Sequence, residues 1–200
     1  MVVTGIYYAL ACLAGGAAVA WLARPAFGIP FFILAGFFLW FFRDPEREIP
    51  QGKHAVSPAD GKVVMIRKEG SLTRVAVFMS PIDVHVNRSP IAGRITRVDY
   101  KPGKFLVASK DEASLENEQN LITVEGRDGV QITFAQIAGL VARRVICDRK
   151  PGDEVAMGAR IGLIQFSSRV DILFGPEWAI SVKPGDRVSA GSSILARRKS

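Results

Sequence analysis

The chain has 200 residues, a formal net charge of +7, 48% apolar residues, two cysteines and two histidines. The apolar fraction excludes a disordered chain, and the length is enough to bury a real core. Cys12 and Cys147 lie far apart without a CxxC pattern, which excludes a disulfide-stapled mini-domain, fits a reducing compartment and, with so few imidazoles, leaves no metal site expected.

Charge divides the sequence. Residues 1–42 hold one charged residue, Arg24, whereas the next 158 hold 25 Lys+Arg and 19 Asp+Glu. A basic body behind an apolar N-terminus points to an anionic membrane surface as partner. Nucleic acid is not expected, because aromatic and basic residues do not interleave as in RNA-binding motifs.

Two apolar runs come first, Ile6–Ala23 and Pro25–Phe42, each 18 residues without charge. That is the short end of a bilayer span. Arg24-Pro25 between them reads as a tight turn. Seven of the 12 Phe fall in the second run, and Trp40 sits near Arg43, where an interfacial anchor belongs. A cleaved signal peptide would need a basic stretch before Ile6, and none is there. Buried core helices are the bland alternative, but seven Phe without a polar face favour membrane contact. The expectation is a membrane-associated helical hairpin over 1–42, spanning or dipping into one leaflet, and a body over 43–200 on the cytoplasmic side of the cell membrane.

After Phe42 the texture changes to short apolar runs cut by turns. Strands are predicted at Val63–Ile66, Arg74–Met79, Gly93–Val98, Asn120–Glu125, Val130–Phe134, Leu140–Cys147, Ile161–Phe166 and Val170–Phe174. Turns are predicted at Asp60-Gly61, Lys101-Pro102-Gly103, Arg127-Asp128-Gly129, Lys150–Asp153 and Lys183–Asp186. One short helix is predicted in Lys110–Glu118. Lys150–Ile161 (KPGDEVAMGARI) and Lys183–Ile194 (KPGDRVSAGSSI) match at seven of twelve positions, offset by 33. In P-G-D-x-V-x-x-G, Pro-Gly sets a turn, Val enters the core and the second Gly permits another bend. The fold class read from this is mainly β: an antiparallel barrel-sandwich body with lipoyl-like hairpins, behind an apolar helical hairpin. The repeat speaks for fold and not for activity.

Three segments carry chemistry: Ser57–Gly61 (SPADG), Phe78–Pro90 (FMSPIDVHVNRSP) and Gly162–Asp171 (GLIQFSSRVD). Singly they read as a turn, a packed histidine and a bend. Together they resemble the phosphatidylserine decarboxylase family in its short membrane-associated form. The resemblance covers nearly the whole chain. It also takes in Trp40–Arg47 (WFFRDPER), Tyr100–Leu106 (YKPGKFL), Glu116–Asn120 (ENEQN) and Gln136–Arg144 (QIAGLVARR). An archaeal-type enzyme acting on archaetidylserine would look much the same.

The resemblance implies a pyruvoyl enzyme made from a proenzyme. In the family a serine hydroxyl attacks the preceding carbonyl, the peptide becomes an ester, and elimination followed by hydrolysis leaves a pyruvoyl group. Here that serine is Ser168, the bond broken is Ser167–Ser168, and the products are a large chain, 1–167, and a small chain, 168–200. The covalent pyruvoyl cofactor from Ser168 would hold the substrate amine as a Schiff base and act as an electron sink. His85 is the general base implied for the weakly nucleophilic hydroxyl and the donor that returns a proton after CO2 leaves. Asp60 is placed to orient and charge-stabilise His85. Asp83, two residues before His85, is a secondary candidate that shares its face if the segment is a strand. Arg88 and Arg169 are candidates for the phosphate of the phospholipid substrate. His54, in the linker before the first strand, receives no role. A homo-oligomer is left open.

The family pattern departs at Ser167, where Gly precedes the cleavage serine. Gly permits strained backbone that a side chain resists. Ser167 is either tolerated, since any residue can supply the acyl carbon, or it slows processing and holds the chain as a proenzyme. A non-enzymatic membrane adaptor with lipoyl-like hairpins is the rival from another class. It predicts long heptads between the halves of the β body, and the sequence has none. A swinging-arm carrier would need a lysine at a hairpin tip, whereas the repeat's lysines lie in Pro-Gly turns.

Overall fold

The structure is a computed structural model that describes residues 2–104, 106, 116–139, 145–165 and 168–199. The chain forms two compact units, Met1–Glu46 and Arg47–Ser200.

The first unit is a pair of helices, α1 (Val3–Leu22) and α2 (Pro25–Phe41). Pro25 opens α2 at a position where its missing N–H costs nothing. Small residues let the helices approach: a Cβ on Gly28 would press on the Gly16 carbonyl, and one on Gly5 would collide with Phe42. The outward side chains are apolar too, with Trp21 88% and Ile33 68% exposed. At about 1.5 Å per residue the 20-residue α1 is about 30 Å long, the thickness of a bilayer's hydrocarbon core. It is long and apolar enough to cross a membrane, whereas α2 has 17 residues. Arg43 stacks 4.2 Å from the centroid of Trp40.

The second unit is mainly β. Among the described residues its strands are β1 (His54–Val56), β2 (Gly61–Glu69), β3 (Leu72–Met79), β4 (Val86–Arg88), β5 (Gly93–Lys101), β6 (Gln119–Glu125), β7 (Gln131–Ala138), β8 (Val145–Cys147), β9 (Glu154–Val155), β10 (Arg160–Ile164), β11 (Ser168–Phe174), β12 (Trp178–Ile180), β13 (Arg187–Val188) and β14 (Ile194–Arg198). All pair antiparallel. The core takes alternate residues of the long strands, such as Val75, Val77 and Met79 of β3 and Val170, Ile172 and Phe174 of β11. The strands the sequence predicts are present with wider or shifted bounds. Six others, β1, β4, β9, β12, β13 and β14, are too short or too mixed to display a period of two. His54 is therefore the first residue of a strand and not part of a linker. Residues 140–144 and Phe166 of the predicted strands, and most of the predicted Lys110–Glu118 helix, lie outside the described residues; within that segment Asn117 bridges Lys104.

The strand order is palindromic. One sheet runs β13-β2-β3-β11-β7-β6-β5-β9, and two smaller sheets run β1-β14-β12 and β4-β10-β8. Exchanging β1 with β4, β2 with β5, β3 with β6, β11 with β7, β12 with β8, β13 with β9 and β14 with β10 returns the same sheets. Register follows the exchange. Lys62 pairs with Phe78 as Arg94 pairs with Glu125, and the irregularity between Val63 and Met65 recurs between Ile95 and Arg97. Val188 faces Gly61 as Val155 faces Gly93. Trp178 faces Arg198 as Val145 faces Ile164. The Val56 N–H donates to the Pro90 carbonyl and the Arg88 N–H to the Pro58 carbonyl, both at 2.9 Å. Such reciprocity is what a two-fold relation demands. The halves meet where Ile172 of β11 opposes Phe134 of β7, two residues that are each other's counterparts.

The Lys150/Lys183 repeat is thus one trace of a duplication that covers the body. A second trace is Ser57–Val63 (SPADGKV) against Ser89–Ile95 (SPIAGRI). The two traces bind each other in each half. Gly152 and Gly185, at φ +99° and +100°, donate their N–H to the carbonyls of Ile95 and Val63 at 2.8 Å. Gly158 and Gly191 donate to the carbonyls of Ser89 and Ser57, also at 2.8 Å. The Ser57 and Ser89 hydroxyls donate to the carbonyls of Ala59 and Ile91 at 2.7 Å. Glycine is required at positions 61 and 93, because a Cβ there would collide with the carbonyls of Phe78 and Glu125.

Candidate active site

The three sequence blocks converge at one pole of this body. Ser168 opens β11, with Met79 of β3 on one side and Ala138 of β7 on the other. It is fully buried, and its Oγ contacts the Met79 Sδ at 3.4 Å. Met79 lies under the SPADG turn, since Gly61 is seated against Phe78 and Met79. Asn87 joins the second block to the same point. Its Nδ2 reaches the Met79 Sδ at 3.8 Å and the Pro58 carbonyl at 3.4 Å, and its Oδ1 accepts from Gln136 Nε2 at 2.8 Å. Met79, Asn87 and Gln136 were not singled out by sequence; they are ordinary residue types whose role is visible only once β3, β4 and β7 meet. Ser167 lies outside the described residues.

His85 immediately precedes β4 and is buried. The Ile164 N–H donates to its carbonyl at 3.3 Å, which ties it to the strand leading toward residue 168. Its Nδ1 lies 2.9 Å from the Asp83 carbonyl. A carbonyl only accepts, so Nδ1 carries the proton and Nε2 is the basic nitrogen of the neutral ring. The expectation that Asp83 and His85 share a strand face is corrected: Asp83 is in a bend outside any strand. Its carboxylate caps the Ser80 N–H at 2.8 Å and hydroxyl at 2.7 Å and accepts from Arg187 at 3.2 Å. Asp83 thus meets the imidazole through its backbone.

Asp60 accepts from Arg47 Nη2 at 2.8 and 3.0 Å and from the Ala190 N–H at 2.7 Å. The carboxylate clips the segment before β1 and the second KPGD hairpin to the SPADG turn. Arg47 belongs to the WFFRDPER stretch, which gave no hint of this partner.

The two arginines behave differently from expectation. Strand alternation puts Arg169 on the opposite face of the sheet from Ser168, so neighbours in sequence are not neighbours in the site. Arg169 is fully buried there and bound to Asp171 at 2.5 and 3.1 Å, and Arg74 donates to the same Asp171 at 3.1 Å. Arg88 is 8% exposed and donates to the Gly158 carbonyl at 3.0 Å. Nearby on β8, burial pushes the Cys147 thiol above its ordinary value.

A buried serine at the head of a doubly paired strand and a buried imidazole with a defined basic nitrogen are groups suited to nucleophilic chemistry. Comparison with known proteins agrees. Residues 34–196 match the family model described as phosphatidylserine decarboxylase. The chain is 63% identical over 198 residues to the phosphatidylserine decarboxylase proenzyme of Solibacter usitatus, covering 99% of this chain and 97% of that one. It is 47% identical over 175 residues to the same-named protein of Magnetococcus marinus, covering 84% and 80%. Against that of Erythrobacter litoralis it is 46% identical over 213 residues, covering 96% and 86%. With matches that run through the SPADG, histidine and double-serine blocks now seen to converge, the chain belongs to the phosphatidylserine decarboxylase family.

Proposed function

We propose that this chain is a membrane-bound proenzyme that cleaves itself before Ser168 and then decarboxylates phosphatidylserine to phosphatidylethanolamine. The observation that carries the reading is the Ser168–Met79–Asn87 linkage, which brings the family's three blocks to one place.

Processing begins when the Ser168 hydroxyl attacks the Ser167 carbonyl and His85 Nε2 takes its proton. The peptide C–N bond is exchanged for an ester. Loss of the Ser168 α-proton breaks the ester C–O bond and releases the upstream chain as a carboxylate. Addition of water and loss of ammonia turn the remaining residue into the pyruvoyl group. Ser168 fits as the precursor: pairing to both Met79 and Ala138 holds it in register after the chain is cut. When present, the pyruvoyl group supplies the electron sink for loss of CO2 from an amino acid.

The remaining roles belong to this chain's own residues. The Asp83 carbonyl orients His85, leaving Nε2 to deliver a proton to the substrate carbon. Asp60, bound by Arg47 and the Ala190 N–H and not by His85, fixes the SPADG turn under which Met79 lies. Arg169 is kept out of substrate contact by its place behind the sheet, and Arg88 serves the framework through Gly158. The helical hairpin holds the body on an anionic membrane, on the cytoplasmic side, where a substrate with two acyl chains resides.

Intact mass under denaturing conditions tests the reading. Cleavage turns the 21.7 kDa chain into fragments of about 18 and 3.6 kDa, the smaller headed by pyruvoyl. A chain that stays whole both as found and as Ser167→Gly removes the self-cleavage step. His85→Ala is expected to remain whole and inactive, and normal cleavage in that variant would take His85 out of processing.

A further inference from the structure

The duplication relates the candidate active site to a cavity at the opposite pole. A cavity of about 650 Å³ is lined by Lys53, Ala92, Gly126 and Val130 among others. These four are the counterparts of His85, Asp60, Met79 and Ser168, by the register that matches β1 to β4, β2 to β5, β3 to β6 and β11 to β7. The cavity is therefore the two-fold mate of the catalytic pole, with other residues at the places of its serine, histidine and aspartate; its own charged lining is Lys53, Arg127 and Arg198 with Asp128 and Glu154.

What this pole has instead is a set of unpartnered polar nitrogens. Trp178, His54 and Arg198 also line the cavity. The Trp178 indole N–H is buried without a hydrogen-bond partner among the described residues, in a side chain only 7% exposed. His54 Nε2 and Arg198 Nη1 are also buried atoms without a hydrogen-bond partner among the described residues, in side chains that are half-buried. Among the described residues the Arg198 guanidinium has only long ion pairs, 3.7 Å to Asp128 and 4.0 Å to Glu177, and it lies 5.5 Å from the Trp178 ring centroid. An indole N–H can only donate, and a guanidinium can only donate. Leaving such groups buried and unpaired is costly, so their convergence on an apolar cavity marks a place for an acceptor-rich anion with an apolar end. At the catalytic pole the counterparts of Trp178 and Arg198 are Val145 and Ile164, which carry no side-chain donor.

We infer that this cavity binds the head group of a net-anionic glycerophospholipid, with the phosphate against Arg198, Trp178 and His54 and the glycerol end against Val130 and Val155. The phospholipid, in preference to another amphiphilic anion, rests on the proposed function; the site itself does not. Its volume suits a head group and glycerol and is too small for two long acyl chains.

The test is calorimetric titration of the full chain in phosphatidylcholine nanodiscs, carrying Ser168→Ala so that processing plays no part. The probes are dihexanoylphosphatidylglycerol, dihexanoylphosphatidylcholine and inorganic phosphate. Saturable binding of the phosphatidylglycerol is expected, weakened about tenfold or more by Arg198→Gln and several-fold by Trp178→Phe, which keeps the ring and removes the donor. Thermal melts establish that both variants are folded, and His54→Gln replaces either one that is not. Binding of inorganic phosphate as tight as that of the lipid would reassign the site to a free anion. Absence of phosphatidylglycerol binding, or equal affinity in all variants, overturns the inference. So does a change of oligomeric state in Arg198→Gln without any lipid effect, which would make the cavity an interface between copies. None of these outcomes depends on cleavage, so the decarboxylase reading stands or falls separately on the mass of the unsubstituted chain.

Discussion

The two halves of the β body share strand pairing, a matching bulge and paired turn devices, yet they differ at nearly every polar position that matters. At one pole Asp60, His85 and Ser168 stand where the other has Ala92, Lys53 and Val130. Behind the sheet, Glu69, Arg74, Arg169 and Asp171 form a cluster in one half. Their counterparts are Lys101, Leu121, Gln131 and Thr133, where Gln131 donates to Glu125 at 2.6 Å and the Thr123 and Thr133 hydroxyls lie 2.9 Å apart. The lesson is that backbone pairing and turn glycines specify the frame, while a handful of side chains decides which copy does chemistry.

The strongest way to break that comparison is at the nucleophile. Ser168→Ala is expected to abolish cleavage and activity together, with one intact mass. Val130→Ser, which puts a hydroxyl at the matching place of the other half, should create no second nick. A nick near residue 130 would show that the frame alone activates a serine.

Asp171→Asn comes next. It removes the carboxylate charge bound to the buried Arg169 and is expected to cost about 3–5 kcal/mol in denaturant unfolding. Thr133→Val at the matching position should cost about 1 kcal/mol, the value of one ordinary hydrogen bond. Equal losses would mean that the ionic cluster contributes nothing specific.

Gly61→Ala and Gly93→Ala sharpen the comparison from the side of the frame. Each forces a methyl toward a carbonyl on the neighbouring strand, so each is expected to cost about 1–3 kcal/mol by overpacking. Gly61 should cost the more, because its φ of +147° adds backbone strain. The readout is again the unfolding midpoint, and a neutral Gly93→Ala would show that the second half tolerates a looser strand pair.

The smallest effect is electrostatic. The hydrogen bond from Arg74 holds the Glu69 carboxyl below its ordinary value of 4.5. A lowered folded-state value means stability that is full above the unfolded value and lost as pH falls through the folded one. The pair is more than a third exposed on the Glu69 side, so screening keeps its contribution well under 1 kcal/mol. Glu69→Gln should flatten the acid limb of stability slightly below pH 4.5 and leave neutral stability nearly unchanged. A large loss at neutral pH would tie Glu69 to the buried cluster more tightly than its exposure allows.

Sequence alone determined a good deal. Two uncharged runs dictate apolar helices, because no polar face is available to meet water. Short alternating runs between Pro-Gly and Asp-Gly turns dictate antiparallel strands. The order of the SPADG, histidine and double-serine blocks assigned the family. Tertiary structure decided the rest, for one physical reason: antiparallel pairing joins residues with no fixed spacing in the chain. The KPGD repeat showed twelve residues of a duplication whose remainder had diverged in side chains while keeping its hydrogen bonds. Met79, Asn87, Gln136 and Arg47 joined the candidate site only when strands distant in sequence met. Arg169 lies on the other face of the sheet from Ser168 because a strand turns adjacent side chains to opposite faces. His54, with no motif around it, gained a place only when folding set it beside Trp178 and Arg198 in the cavity of the second half.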